Sequence, residues 1–480
     1  MFTRRQAVQE GAARERSAAA LPINRLGPWL SQRARAIQAE TLLAAAVIVA
    51  SFFVALLWAA IIPFGEAPDE PTHFDEARFI AEHNRFPVFD QETDLLQTSC
   101  AGPTGPCGTS YAVLPGVNYA ISAGFMKLQH AFTGEPYDSL HFAARLTSVL
   151  SIPIYVFFLW MTAQLLLAQR LARVTALLLG SFIPQVAFIG GYVNADAFSL
   201  AVGAAVTYLS VRLLCNGYSR FMPLYGGVAL GLLALSRANY YPLFGLFAVA
   251  WAFAAYRMWQ QDGTARRLVL SSLATAALAA VIGGWWYIRN FQLYGEPLGL
   301  DTINAAFDAL APLRQSPADR GATFTSLLFD DPVWTKSTFR SFWATFGWMA
   351  VFLNSRIYLL IEAMLFGAAA GLVIAAYRAL SEHGRRVWQW GSSWAWLLLA
   401  LLLPAAILLS AWTSLYNDYQ PQGRYLYPAL IPVVLLTSHG LHSLWDNGVY
   451  RQTVTLLVGG GMVLLNLYSL IFVLVPLYYK

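Results

Sequence analysis

Residues 41 to 75 read TLLAAAVIVASFFVALLWAAIIPFGEAPDEPTHFD. An apolar run from Thr41 to Pro63 gives way at once to Glu66, Asp69, Glu70, His73 and Asp75. The first part is long enough to cross a hydrocarbon core of about 30 Å as a helix. The second places charge where such a helix would leave the bilayer.

Working outward, runs of the same kind recur, for example Leu268 to Trp286 and Trp394 to Trp412. The whole chain is 57% hydrophobic and 12% charged, with a mean hydropathy of +0.50. Soluble domains carry roughly 25% charged residues, so lipid is the expected solvent. The fold class is therefore all-α and polytopic, with about eleven transmembrane helices. Spans are expected at 41–63, 146–167, 174–191, 196–214, 222–236, 240–258, 267–288, 355–378, 394–414, 426–444 and 453–476. Residues 1–40 form a basic, disordered tail, and 41–480 a single transmembrane domain with long loops at 64–145 and 289–354.

The formal charge is +5, but the basic residues form no single patch, which argues against nucleic acid as a partner. They mark topology instead. Arg4, Arg5, Arg14, Arg16, Arg25, Arg33 and Arg35 precede the first span, which the positive-inside rule makes cytoplasmic. The run is too extended for a cleaved signal peptide, so span one is expected to be a signal anchor. Every turn then expected inside is basic: Arg170 and Arg173, Arg212 and Arg220, Arg257 with Arg266 and Arg267, Arg378 with Arg385 and Arg386, and Arg451. An odd number of spans and an external C-terminus follow, with both long loops outside.

In the first loop, Leu114, Val117, Ile121, Phe125 and Leu128 recur at helical spacing, as an interfacial helix or a short buried one would. Cys100 and Cys107 flank a Gly-Pro-Thr-Gly-Pro turn in the same loop and could pair as a disulfide in an oxidising compartment. Two thiols alone would not complete a zinc site.

Beyond span one, Pro71 suits a first helical turn and disfavours helical geometry at Glu70, making Glu70 the expected N-cap. Asp69 would then sit by a helix N-terminus, which favours its ionised form, and an ionised carboxylate can accept a proton from a hydroxyl. The structural alternative is ordinary helix capping. A divalent metal on Asp69, Glu70, His73 and Asp75 is a further option. His73 could equally orient a neighbouring carboxylate.

The run Pro68-Asp69-Glu70-Pro71-Thr72-His73-Phe74 resembles the first-loop signature of GT-C glycosyltransferases. It is similar to the Asp-Glu-x-His-Phe run of protein O-mannosyltransferases, and more so to a bacterial branch of membrane proteins with a Pro-Asp-Glu-Pro first-loop motif. Further matching stretches are Ala144-Arg145-Leu146, Asn194-Ala195-Asp196, Gly284 to Asn290, Ser341-Phe342-Trp343 with Gly347-Trp348, and Gln422 to Pro428. His73 lies four residues after Asp69 rather than the mannosyltransferases' three, so its role does not carry over.

The resemblance implies sugar transfer from a polyprenyl-phosphate donor. Location agrees, because nucleotide sugars stay in the cytosol while the acids and arginines of interest are expected outside, and no Gly-rich nucleotide-binding domain is evident. The expected catalytic residues are Asp69, aided by Glu70 or His73. Arg145, Arg237, Arg289 and Arg424 would hold the donor phosphate, although each could simply snorkel at a helix end. Asn194, Asp196, Asn290, Trp286 and Tyr425 would line the substrate site, Asp196 because an ionisable group at a span is costly. The acceptor would be a hydroxyl of an envelope glycan at the outer face of a bacterial inner membrane. Two rivals remain: a lipid-linked glycan flippase or secondary transporter, and a glycan polymerase or ligase using a diphosphate-linked lipid.

Overall fold

The computed structural model describes residues 26–89, 110–262, 265–310, 315–382 and 390–479. It divides into two compact units, Met1–Val47 and Ile48–Lys480. The helix Leu26–Ile61 contributes to both, and its start at Leu26 makes residues 26–40 helical where a disordered tail was expected. Cys100 and Cys107 lie outside the described residues.

Each of the expected spans is helical, though not each to full length. Among the described residues, eight helices are long and apolar enough to cross a membrane, and a ninth span arises if the bent pair Arg170–Ser181 and Pro184–Gly190 counts as one. The expected spans 222–236 and 426–444 correspond to shorter helices, Met222–Ala234 and Leu430–Ser443, the latter entered through a 3-10 turn at Gly423–Ala429. The chain is thus a multi-pass helical membrane protein.

The bent pair turns by 50° at Phe182 and Ile183. Pro184 forces the break because it lacks an N–H and its ring displaces the preceding turn. In lipid the backbone groups released this way must find partners inside the protein. Asn466 supplies one, donating from Nδ2 to the Phe182 carbonyl at 3.2 Å while its Oδ1 accepts from the Trp58 indole at 3.1 Å. Around this break Trp58, Phe188 and Phe346 pack ring to ring, with centroids 5.3 to 6.2 Å apart. Phe346 belongs to a short antiparallel hairpin, Thr345–Phe346 with Val351–Phe352, whose Thr345 N–H donates to Gln185 Oε1 at 2.7 Å.

Close helix packing elsewhere depends on glycine. The helices Ser355–Glu382 and Leu430–Ser443 touch through Gly371 and Gly440, and a Cβ at Gly371 would fall 1.8 Å from the Gly440 carbonyl oxygen. Small residues at such crossings let backbones approach where lipid offers no hydrophobic drive between helices.

Two helices of the first long loop, Glu70–His83 and Val117–Thr133, pack against each other. Phe74, Ala77 and Ile80 of the helix Glu70–His83 form one apolar cluster with Tyr119, Ala123 and Met126 of the helix Val117–Thr133. Of the expected stripe, Ile121 and Leu128 are exposed, while Phe125 packs against this cluster and Leu114, just before the helix, packs against a second one. At the opposite ends of several spans arginines close helix C-termini. Arg173 donates to the Leu167 and Ala168 carbonyls, Arg257 to Leu214 and Arg378 to Ser443.

Candidate functional site

The turn that follows the first helix is shaped by two residues in the left-handed region, Gly65 (φ +85°) and Asp69 (φ +61°). Aspartate is one of the few side chains that tolerates this conformation. The helix begins at Glu70, with Asp69 at the N-cap, which corrects the expectation that Glu70 caps. Glu70 is drawn inward instead. Its carboxylate accepts from Arg145 Nε and Nη2, both at 2.7 Å, and from the backbone N–H groups of Gly65 and Val193, both at 3.1 Å. Arg145 spends its remaining terminal nitrogen on the Ala59 and Ile62 carbonyls, at 2.7 and 2.6 Å.

Both residues are buried; Glu70 accepts four hydrogen bonds and Arg145 gives four from its five N–H groups. Glu70 was expected to assist catalysis and Arg145 to hold phosphate. The structure places them elsewhere, as the clamp that fixes the turn.

Asp69 itself makes no capping bond and its side chain is 38% exposed. Its Oδ2 lies 3.6 Å from Arg424 Nη2. Arg424 is 2% exposed and reaches further, with Nη1 3.3 Å from Asp196 Oδ2 and 3.1 Å from the Tyr192 hydroxyl. Asp196 Oδ2 also accepts from Arg237 Nη1 at 3.0 Å. Two arginines and two aspartates therefore form one chain of ion pairs, Asp69, Arg424, Asp196, Arg237. Within it Arg424 Nε and Asp196 Oδ1 are buried and find no hydrogen-bond partner among the described residues.

Local sequence puts each member in position. Asp196 opens the helix Asp196–Asn216, whose N-terminus favours an acid. Arg424 is presented by a segment that presses against the helix Pro332–Trp343. Only glycine fits at 423, where a Cβ would lie 2.1 Å from the Phe342 nitrogen, and the Gly423 N–H donates to Ser341 Oγ at 2.7 Å. The matching stretches Ser341–Trp343 and Gln422–Pro428 are thus packed together.

Next to the ion-pair chain lies a cavity of about 340 Å³ lined by Arg237, His73, Tyr111, Tyr119, Tyr425, Trp286, Tyr287, Asn290 and hydroxyls that include Ser199, Ser236 and Thr413. Of the expected site residues, His73, Arg237, Asn290, Trp286 and Tyr425 meet there. His73 Nδ1 is 2.6 Å from the Tyr119 hydroxyl. Burial, reinforced by the charges of Arg237 and Arg424, holds its imidazole well below the ordinary value, so it is neutral at pH 7. Arg237 is 26% exposed and lies over the Tyr425 ring at 5.5 Å.

Three expected residues do other work. Arg289 is not among the cavity's lining; it donates to the Pro87 carbonyl and stacks 4.8 Å from the Trp286 ring. Asn194 knots its own turn, donating to the Ile189 and Tyr192 carbonyls and accepting from the Ala197 N–H at 2.9 Å. Asn290 lines the cavity but donates to the Val113 carbonyl at 2.8 Å, so it also braces the wall. Tyr111 and Glu76 escaped sequence reasoning. Glu76 accepts from Ser110 Oγ at 2.6 Å and from the Tyr111 N–H at 2.9 Å, setting Tyr111 against the cavity. Nothing distinguishes Tyr111 among the chain's 23 tyrosines.

A metal reading finds no donor set. Among the described residues no group of three or more His, Cys, Asp or Glu side chains could hold an ion. Glu70 is committed to Arg145 and His73 to Tyr119.

Fold and site together define a class: a multi-pass helical membrane protein with a buried ion-pair chain beside an aromatic, hydroxyl-lined cavity. No family model and no curated protein matches the chain. Among solved structures it is similar to ArnT from Cupriavidus metallidurans bound to undecaprenyl phosphate, with 14% identity, a TM-score of 0.49, and 91% of this chain and 73% of that one covered. It is also similar to Archaeoglobus fulgidus oligosaccharyltransferase in the apo form (13% identity, TM-score 0.42) and to AglB from the same organism with an inhibitory peptide and a dolichol-phosphate (12%, 0.44). The chain covers 55% of the length of each of these two, and 91% and 89% of its own. Likeness at this level assigns no residue and no activity to this chain.

Proposed function

We propose that the chain is a membrane glycosyltransferase that moves a sugar from a polyprenyl-phosphate donor to an acceptor hydroxyl on the extracytoplasmic face. One observation carries the reading: a solvent-reaching carboxylate, Asp69, held by a buried arginine that shares Asp196 with the cavity-lining Arg237.

The acceptor oxygen bonds to the anomeric carbon, the bond from that carbon to the phosphate oxygen breaks, and the acceptor proton passes to Asp69. Polyprenyl phosphate leaves with the bonding electrons. Arg237 is the cation placed to meet the phosphate, since it lines the cavity and guanidinium pairs with phosphate in a bidentate way. Arg424 aims Asp69, with its Nη2 3.6 Å from the carboxylate Oδ2. Neutral His73, bonded to Tyr119, fits a hydrogen-bonding role on the cavity wall better than that of a charged group.

Asp69→Asn keeps the side-chain shape and tolerates the left-handed backbone, so it isolates the proton acceptor. It should lower transfer by roughly 100-fold or more. The check is an envelope-glycan comparison between a deletion strain and strains complemented with intact or Asp69→Asn protein. Full restoration by the variant removes Asp69 from the role of base.

A further inference from the structure

A second cavity, open and of about 570 Å³, is bordered by Pro63 and Glu66 of the turn that carries Asp69. Its walls include Pro63, Val351 and Leu477, and its polar groups are Glu66, Trp348 and Tyr478. It shares no lining residue with the cavity that holds Arg237 and His73.

Trp348 stands at the tip of the hairpin, where Gly347 (φ +57°) and Met349 (φ +62°) both adopt left-handed backbone. The indole is 55% exposed, yet it is not loose, because Nε1 donates to the Gly65 carbonyl at 2.9 Å. The base of the hairpin is held as well, by Phe346 in the aromatic core and by Thr345 on Gln185. An exposed aromatic ring has thus been fixed in place by both ends of its support. Opposite it, Glu66 is exposed and its carboxylate takes part in no hydrogen bond or ion pair among the described residues. The Tyr478 hydroxyl is buried without a partner.

We infer that this cavity seats a pyranose ring of the acceptor glycan. An indole face accepts the C–H face of a sugar, a carboxylate accepts its hydroxyl protons, and an unpartnered phenol can give or take one further hydrogen bond. The volume is in the range of ligand sites, about 300–1,000 Å³. A lipid acyl chain fits poorly, since it would strip water from the exposed Glu66 carboxylate and return no hydrogen bond. Glu66 and Asp69 belong to one turn, and that turn is pinned by Glu70 to Arg145. A ring seated on Trp348 is therefore registered against Asp69 through rigid backbone. The assignment of the sugar as acceptor rests on the proposed transferase function; the binding site itself does not.

The test uses the full chain in lipid nanodiscs and the methyl glycosides of glucose, galactose and mannose as probes, with saturation-transfer NMR as the readout. Transfer to the ring C–H protons is expected with the intact protein, about tenfold weaker with Trp348→Ala and reduced with Glu66→Gln. The same transfer should persist in Asp69→Asn, because binding does not need the base. If Trp348→Ala does not fold, as judged by its elution profile, Glu66→Gln carries the test. Absence of transfer for all the glycosides, or undiminished transfer in either cavity variant that folds, overturns the inference. Neither result depends on turnover, so the outcome is separate from that of the Asp69→Asn complementation.

Discussion

Glu70 and Asp69 are adjacent acids with opposite duties, and substitution should separate them. Glu70→Gln leaves the Arg145 guanidinium buried without its counter-ion, a loss of about 3–5 kcal/mol for pairs of this kind. Thermal melting in detergent should show a large drop for Glu70→Gln and little change for Asp69→Asn. Equal effects of the two would contradict the clamp. Glu76 gives a pH signature. Burial, helped by the neighbouring Asp75 charge, raises its carboxyl from 4.5 to about 7, against the pull of hydrogen bonds from Ser110 and Tyr111. Below 4.5 it is protonated folded or unfolded and shifts nothing. Between 4.5 and about 7 the folded chain keeps a proton that the unfolded chain releases, so this group's contribution to stability falls as pH rises. Compared with Glu76→Gln, the intact protein should lose melting temperature between pH 5 and pH 8. At this scale the sequence was legible where local backbone chemistry decides, as for the helix whose first turn holds Pro71. It was not legible where a role depends on a partner far along the chain, as for Glu70, whose partner Arg145 is 75 residues away.

Among elements, apolar periodicity located helices well because burial and lipid both select the same residues. Its failures have a common cause. The expected spans 174–191 and 426–444 are bent or short where Pro184 and Pro428 intervene. Hydropathy averages over such positions and backbone geometry does not. The contact of Gly371 with Gly440 was likewise invisible to an apolar count, since glycine scores as unremarkable there. Gly371→Leu should force the two helices apart and reduce the yield of monodisperse protein by gel filtration, the overpacking costing about 1–3 kcal/mol or more. Gly367→Ala, where the nearest atom to an added Cβ is a flexible Leu441 methyl at 3.4 Å, should be tolerated and serves as the control.

For the molecule as a whole, topology is the test that reaches furthest. Arginines cap the helix ends at Leu167, Leu214 and Ser443, while Asp69, Trp348 and the turn at Gly134 belong to the long intervals between spans. The positive-inside rule puts the first set in the cytoplasm. With Cys100, Cys107 and Cys215 all replaced by serine, a cysteine at Gly134 should react with a membrane-impermeant maleimide in spheroplasts, and one at Ser219 should react only after lysis. The reverse pattern would turn the proposed transferase to face the wrong compartment.

The clamp and the ion-pair chain also bear on biosynthesis. Asp69 is synthesised before the residues that fix it: its turn cannot set until Arg145 and Val193 follow, and its cationic neighbour at 424 comes later still. A chain interrupted before residue 424 therefore carries the carboxylate without the guanidinium that holds it.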